Sequence, residues 1–229
     1  MPVVVHVGST CLADCRALAA HAREIGAAAI ACVGPGFFKP ATTADLVAFC
    51  REVAAAAPGL PFYYYHIPSR TGVQVAVADL LQQGVDKIPT LAGAKYSHPD
   101  LMDYLRCTRL LNGRFDLLFG LDEMLLPALA VGARGAVGTT YNFAAPLYYR
   151  LIAAFERGDL ETARQEQHRA TELIVCLARH DFLPASKALM KMIGLDCGPV
   201  RLPLRPLSAE AALKLHDELA TIRFFDWRE

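Results

Sequence analysis

The residues best suited to covalent chemistry lie in Ile88–Ser97, IPTLAGAKYS, where Lys95 closes a short apolar run and Ser97 follows two positions later. A lysine amine held among apolar neighbours is disfavoured as the ammonium, and the free base attacks carbonyl carbons to form a Schiff base. Read alone, the decapeptide also fits an ordinary loop lysine whose stem lies on apolar surface while its head reaches water. Tyr65, Asp122, Glu123 and Thr139 are further reactive or hydrogen-bonding side chains, and each falls where an apolar run ends. Asp122 and Glu123 also read as an N-terminal helix cap, since acids favour that end. Tyr65 also reads as a core aromatic, like Tyr63 and Tyr64 beside it; alternation along a strand puts Tyr63 and Tyr65 on one face and Tyr64 on the other.

The elements that must position these residues are legible as alternating apolar patterns. Val3–Val7, Ala28–Val33, Pro61–His66, Thr90–Ala94, Arg114–Phe119 and Gly135–Gly138 read as strands, with Lys95 at the C-terminal end of the fourth. Between them, Leu12–Ile25, Thr43–Ala57, Val77–Gln83, Pro99–Leu111 and Met124–Val131 carry helical spacing, closed by breakers such as Gly26 and Pro58-Gly59. Beyond Asn142 the pattern is purely helical, over Leu147–Arg157, Leu160–His180, Pro184–Ile193 and Ser208–Ile222.

Strands and helices alternating at this spacing form parallel βαβ units. Two architectures fit, an open doubly wound sheet and a (β/α)8 barrel. The barrel is favoured because the reactive residues gather at strand ends, and because no Gly-x-Gly-x-x-Gly follows the first strand. Residues 1–146 are expected to form a partial barrel, with 147–229 adding its last helix and a helical extension of the same domain.

Composition narrows the partners. The chain has 229 residues, 54% hydrophobic and 20% charged, enough for one large core. Lys plus Arg equals Asp plus Glu at 23 each, which gives no electrostatic reason to expect nucleic acid or an anionic membrane. The seven cysteines are odd in number and scattered, as expected for free thiols of a reducing compartment, and no second Cys pair completes a zinc site. The start of the sequence does not read as a signal peptide, and Arg134 interrupts the longest apolar stretch, Met124–Val137. A soluble, intracellular protein is the expectation.

Seven stretches then agree with one family. They are His6-Val7-Gly8, Phe37-Phe38-Lys39-Pro40, Ala54–Pro68 (AAAAPGLPFYYYHIP), Ala94-Lys95-Tyr96-Ser97, Phe119–Glu123 (FGLDE), Gly135–Asn142 (GAVGTTYN) and Arg201-Leu202-Pro203-Leu204. Together they resemble the N-acetylneuraminate lyase branch of the dihydrodipicolinate synthase-like, class I pyruvate aldolases. The resemblance implies a TIM-barrel fold and a homotetramer. It implies Lys95 as the Schiff-base nucleophile, Tyr65 of the Tyr-x-Ile-Pro motif as proton shuttle, and Ser97, Gly120, Asp122, Glu123 and Thr139 as sugar contacts. It implies a cytoplasmic enzyme that acts on a small molecule, cleaving sialic acid to pyruvate and N-acetylmannosamine without metal or organic cofactor.

The resemblance begins at the family's third strand, so a six-stranded sheet lacking the first two βα units and their Gly-x-Thr-Gly-Glu-like carboxylate loop is expected. Arg70, in Ser69-Arg70-Thr71-Gly72, resembles the dihydrodipicolinate synthases instead, whereas Phe37-Phe38 replaces their relay tyrosine. Dihydrodipicolinate synthase or another 2-keto acid aldolase is therefore the enzymatic alternative. A reading of another class is a shortened, non-catalytic chain that associates with a full-length enzyme.

Overall fold

The computed structural model describes residues 1–227. It divides into two compact units, one formed by residues 1–121 and 130–136, the other by 122–129 and 137–229.

The first unit holds the sheet. Its strands are β1 (Val4–His6), β2 (Ala29–Val33), β3 (Phe62–His66), β4 (Leu91–Tyr96), β5 (Asp116–Phe119) and β6 (Gly135–Ala136). They pair in chain order, every pair parallel. A doubly wound sheet would reverse its order at a switch point; an unreversed order is that of a (β/α) barrel wall, and this settles the choice left open by the sequence. Among the described residues β1 and β6 are not paired with each other, so the six strands form an open sheet.

Helices α1 (Leu12–Glu24), α2 (Thr43–Ala55), the short α3 (Pro68–Thr71), α4 (Val77–Gly84) and α5 (Leu101–Arg109) connect these strands. Ile30, Cys32, Phe62, Tyr64, Ala94, Tyr96, Leu117 and Phe119 alternate onto one face and are buried. On the other face Val33, Tyr65, Lys95 and Leu118 lie side by side across four strands, each half-buried. Tyr63, expected in the core, sits on this second face instead, and its hydroxyl donates to Asp116 Oδ2 at 2.9 Å. Burial and that carboxylate push its pKa up to about 12.

Local chemistry explains several helix starts. Thr42 and Asp45 form a reciprocal capping box on α2. No residue at the start of α4 caps it, so Asp103 of α5 does: its carboxylate accepts from the Val77 and Ala78 amides at 2.8 and 3.3 Å and from the Tyr96 hydroxyl at 3.2 Å. One buried acid thus ties two helices to the strand that carries Lys95.

His66, beside Tyr65 on β3, is 3% exposed and its Nδ1 has no hydrogen-bond partner among the described residues. Burial first, and then the nearby His98, lower its pKa from 6.5 to about 4, with Asp100 opposing them. The unfolded chain therefore binds the proton more readily. His66 contributes stability that is whole above pH 6.5 and is lost as pH falls through 6.5 toward 4, by roughly 3 kcal/mol in all. Denaturant titrations across that range should show this loss in the parent and a shallower one in His66→Phe; parallel pH profiles would contradict it.

The second unit contains α6 (Leu125–Ala130) up to Leu129, α7 (Tyr141–Glu156), α8 (Leu160–Ala178), α9 (Phe182–Met192), α10 (Ala209–Thr221) and α11 (Phe224–Trp227). Helix α7 starts six residues before its expected start because Pro146 does not end it; the backbone bends at Ala144 and continues. Glu166 of α8 is buried and pairs with Arg150 of α7 at 3.4 Å and with Arg169 at 2.6 Å.

Candidate functional site

In the first unit, Tyr65 and Lys95 are Cα partners on adjacent strands. Strand β4 runs one residue beyond Lys95, so the lysine lies within the ladder and its backbone is fixed on both sides. Lys95 Nζ is 4.4 Å from the centroid of the Tyr65 ring. The His6 ring meets the same tyrosine edge-on, with centroids 5.9 Å apart and planes at 90°. The tyrosine ring thus has an amine over it and an imidazole ring perpendicular to it. Partial burial, then the charge of Lys95, lower the pKa of His6.

Beyond the end of β4, the Ser97 amide donates to the His66 carbonyl at 2.8 Å and its hydroxyl to the Gly120 carbonyl at 3.2 Å. Gly120 follows β5, and a Cβ there would lie 2.1 Å from Ser97 Oγ and 3.1 Å from Lys95 Cε. A side chain at 120 would have to displace the Ser97 hydroxyl, so glycine here lets Lys95, Ser97 and Gly120 pack together.

The second unit carries the remaining candidates. Asp122 opens a short 3-10 turn, Asp122–Met124, and is 5% exposed, whereas Glu123 is exposed. Asp122 Oδ2 accepts from the amide and the hydroxyl of Thr140, at 2.8 and 2.5 Å, so this acid anchors the loop in which half-buried Thr139 sits. Gly138 is required here because a Cβ would fall 1.5 Å from Asp122 Oδ1, and the chain leaves the strand at Ala136, short of the expected Gly138. Gln167 bonds the start of α6: its Oε1 accepts from Leu126 N at 2.8 Å while its Nε2 donates to the Asp122 carbonyl at 3.2 Å.

Thr140→Val keeps shape but removes the hydroxyl from a buried carboxylate. The expected cost is about 2–3 kcal/mol of stability, read from the unfolding midpoint. A neutral substitution would show that the hydroxyl carries none of the load.

The sequence reading assigned no role to His6, Thr140, Tyr141 or Tyr148. Tyr148 shares a short hydrogen bond with Thr140 and packs against Tyr141, ring centroids 4.3 Å apart. The Tyr141 hydroxyl is buried without a partner among the described residues, and burial with the nearby Asp122 raises its pKa. The seven-residue spacing of the two tyrosines along α7 was the available signal, since it places both on one helix face. His6 was signalled as the one titratable residue within the first strand-like run, Val3–Val7. Among the described residues no group of three or more His, Cys, Asp or Glu is arranged to hold a metal ion, and no helix is long and apolar enough to cross a membrane.

Comparison with known proteins agrees with this geometry. The model of the dihydrodipicolinate synthetase family matches residues 1–222. The N-acetylneuraminate lyase of Rattus norvegicus is 44% identical over 228 residues, covering 98% of this chain and 71% of the relative. The solved N-acetylneuraminate lyase of Proteus mirabilis superposes with a TM-score of 0.94 at 38% identity, over 98% of this chain and 76% of that one. The dihydrodipicolinate synthase of Cyanidioschyzon merolae, solved with lysine bound, is more distant at 0.86 and 27%, over 97% and 74%. A family match across nearly the whole chain, on the strand order and the Lys95–Tyr65 pairing described above, makes this chain a member of the dihydrodipicolinate synthetase family.

Proposed function

We propose that the protein is a class I aldolase that cleaves N-acetylneuraminate to pyruvate and N-acetylmannosamine. The observation that carries this reading is the Lys95 amine 4.4 Å from the Tyr65 ring centroid, on paired strands. The greater likeness to sialic acid lyases than to the dihydrodipicolinate synthase supports the choice of substrate. Arg70, the residue suggesting the synthase, is exposed on α3.

In this reading Lys95 Nζ adds to the C2 carbonyl of the open-chain sugar acid, water leaves, and a protonated imine remains. The imine draws in the electron pair of the C3–C4 bond as that bond breaks. The C4 hydroxyl proton passes to the Tyr65 oxygen as the phenol hands its own proton to the substrate carboxylate, and the C4 aldehyde departs as N-acetylmannosamine. The enamine takes a proton at C3, and water releases pyruvate from Lys95. An ordinary phenol is a weak base for such a transfer, so the tyrosine relays the proton through the substrate carboxylate, with the His6 ring perpendicular to its own at 5.9 Å between centroids. Ser97, Gly120, Asp122, Glu123 and Thr139 are the proposed contacts of the polyhydroxyl tail, with Asp122 acting through the Thr139-Thr140 loop. The reading extends to a cytoplasmic homotetramer, and the seven unbridged cysteines support a reducing compartment.

Incubation with pyruvate and borohydride should leave a reduced adduct on the peptide containing Lys95, alongside turnover of sialic acid. An unmodified peptide would overturn the proposal. Condensation of pyruvate with aspartate semialdehyde in place of sialic acid cleavage would move the substrate to the synthase class.

A further inference from the structure

A cavity of about 450 Å³ opens in the first unit at the start of β5, lined by Arg109, Arg114 and Arg134. Arg109 closes α5, Arg114 lies two residues before β5, and Arg134 immediately precedes β6. Among the described residues none of the three makes an ion pair, whereas Arg106 on the same helix as Arg109 pairs with Asp79 at 2.8 Å and Asp103 at 3.5 Å. The carboxylate in the lining, Asp116, already accepts from the Tyr63 hydroxyl. Three cations thus face one engaged anion in a concave surface, which concentrates positive potential. Complementing a helix C-terminus accounts for Arg109, but that field fades within the last turn, and Arg114 and Arg134 lie beyond it.

The backbone between Arg109 and Arg114 is itself unusual. Leu111, Asn112 and Gly113 take φ of 47°, 59° and 76° in succession, a left-handed run that side-chain-bearing residues rarely adopt. The run returns the chain so that both of its flanking arginines reach the cavity, and backbone strain of this kind collects at binding sites. Arg114 is stationed by Phe115, its guanidinium carbon 5.8 Å from the ring centroid.

We infer that this cavity is a second ligand site, which binds a phosphate ester of sugar size. Guanidinium forks match phosphate oxygens, and the volume lies within the ~300–1,000 Å³ of small-molecule sites, more than an inorganic ion fills. Thr108 and Asn112 supply polar lining for sugar hydroxyls, and Phe115 and Leu117 supply an apolar wall. The cavity lies at the opposite end of β5 from Gly120, four residues or roughly 13 Å along the strand, so it is separate from the proposed aldolase centre.

Isothermal titration of the full chain with glucose 6-phosphate, inorganic phosphate and glucose tests the inference. Glucose 6-phosphate should bind more tightly than inorganic phosphate, and glucose should not bind. Arg114→Ser and Arg134→Ser should each weaken the ester at least about tenfold, while Arg23→Ser on α1 should leave it unchanged. The arginines are exposed, so the variants should keep the parent unfolding midpoint; Arg→Lys at the same positions, which retains charge but loses the fork, should also weaken binding. Absence of binding by either phosphate, equal affinity for the two, or undiminished binding in the double serine variant would overturn it.

Discussion

Lys95→Arg is expected to abolish the borohydride-trapped pyruvate adduct and to lower kcat/KM for sialic acid cleavage by at least roughly a thousandfold. Arginine preserves length and positive charge, and its guanidinium can still lie over the Tyr65 ring. It is never deprotonated in water, however, and has no free amine to add to a ketone. The side chain is only half-buried, so the unfolding midpoint should change little. A variant that folds normally and fails to react would locate the chemistry at position 95. Retained turnover would place the nucleophile elsewhere and remove the basis of the proposed mechanism.

Gly93→Ala is expected to damage the same strand through packing. The added Cβ would lie 1.7 Å from the Asp116 carbonyl oxygen and 2.7 Å from its carbon, both backbone atoms of β5 that no rotamer change can move. Either the two strands separate, with loss of the ladder from Gly93 to Tyr96, or β4 shifts against both neighbours. A cost of about 3–5 kcal/mol follows, equivalent to a fall in Tm on the order of 10 °C for a chain of this length. Thermal unfolding measures it directly. Because Lys95 is two residues further along, pyruvate trapping should weaken under conditions where the variant still folds. An unchanged Tm would mean that β4 and β5 can move apart without penalty.

Much of the fold was written in local pattern. The alternation of Phe62, Tyr64 and His66 against Tyr63 and Tyr65 assigned faces correctly, because side chains on a strand point to opposite sides whatever lies around them. Most helix limits came within a few residues for a similarly local reason, since capping groups and breakers such as Thr42, Asp159 and Gly26 act within one turn. The short helix α3 and the early start of α7 were not legible. The first is a single turn, and the second depends on packing that carries the chain past Pro146.

Chemical identity was equally local: an amine at Lys95, a phenol at Tyr65 and a hydroxyl at Ser97 can be read from letters. What brings the amine to the phenol cannot. Between Phe62 and Tyr63 the pairing of β3 with β4 slips by one residue, from Phe62 opposite Leu91 to Tyr63 opposite Gly93. Without that slip Tyr65 would face Ala94, and Lys95 would turn with His66 toward the helix-covered face, because a one-residue shift moves every side chain to the other side of a sheet. Register between strands about thirty residues apart is set by non-local packing; the same Gly93 that follows the slip against β3 also meets the Asp116 backbone of β5. Sequence alone determined which groups were available and which way each strand alternated; tertiary structure decided the strand order and the register that place the amine beside the phenol, because both depend on contacts between distant segments.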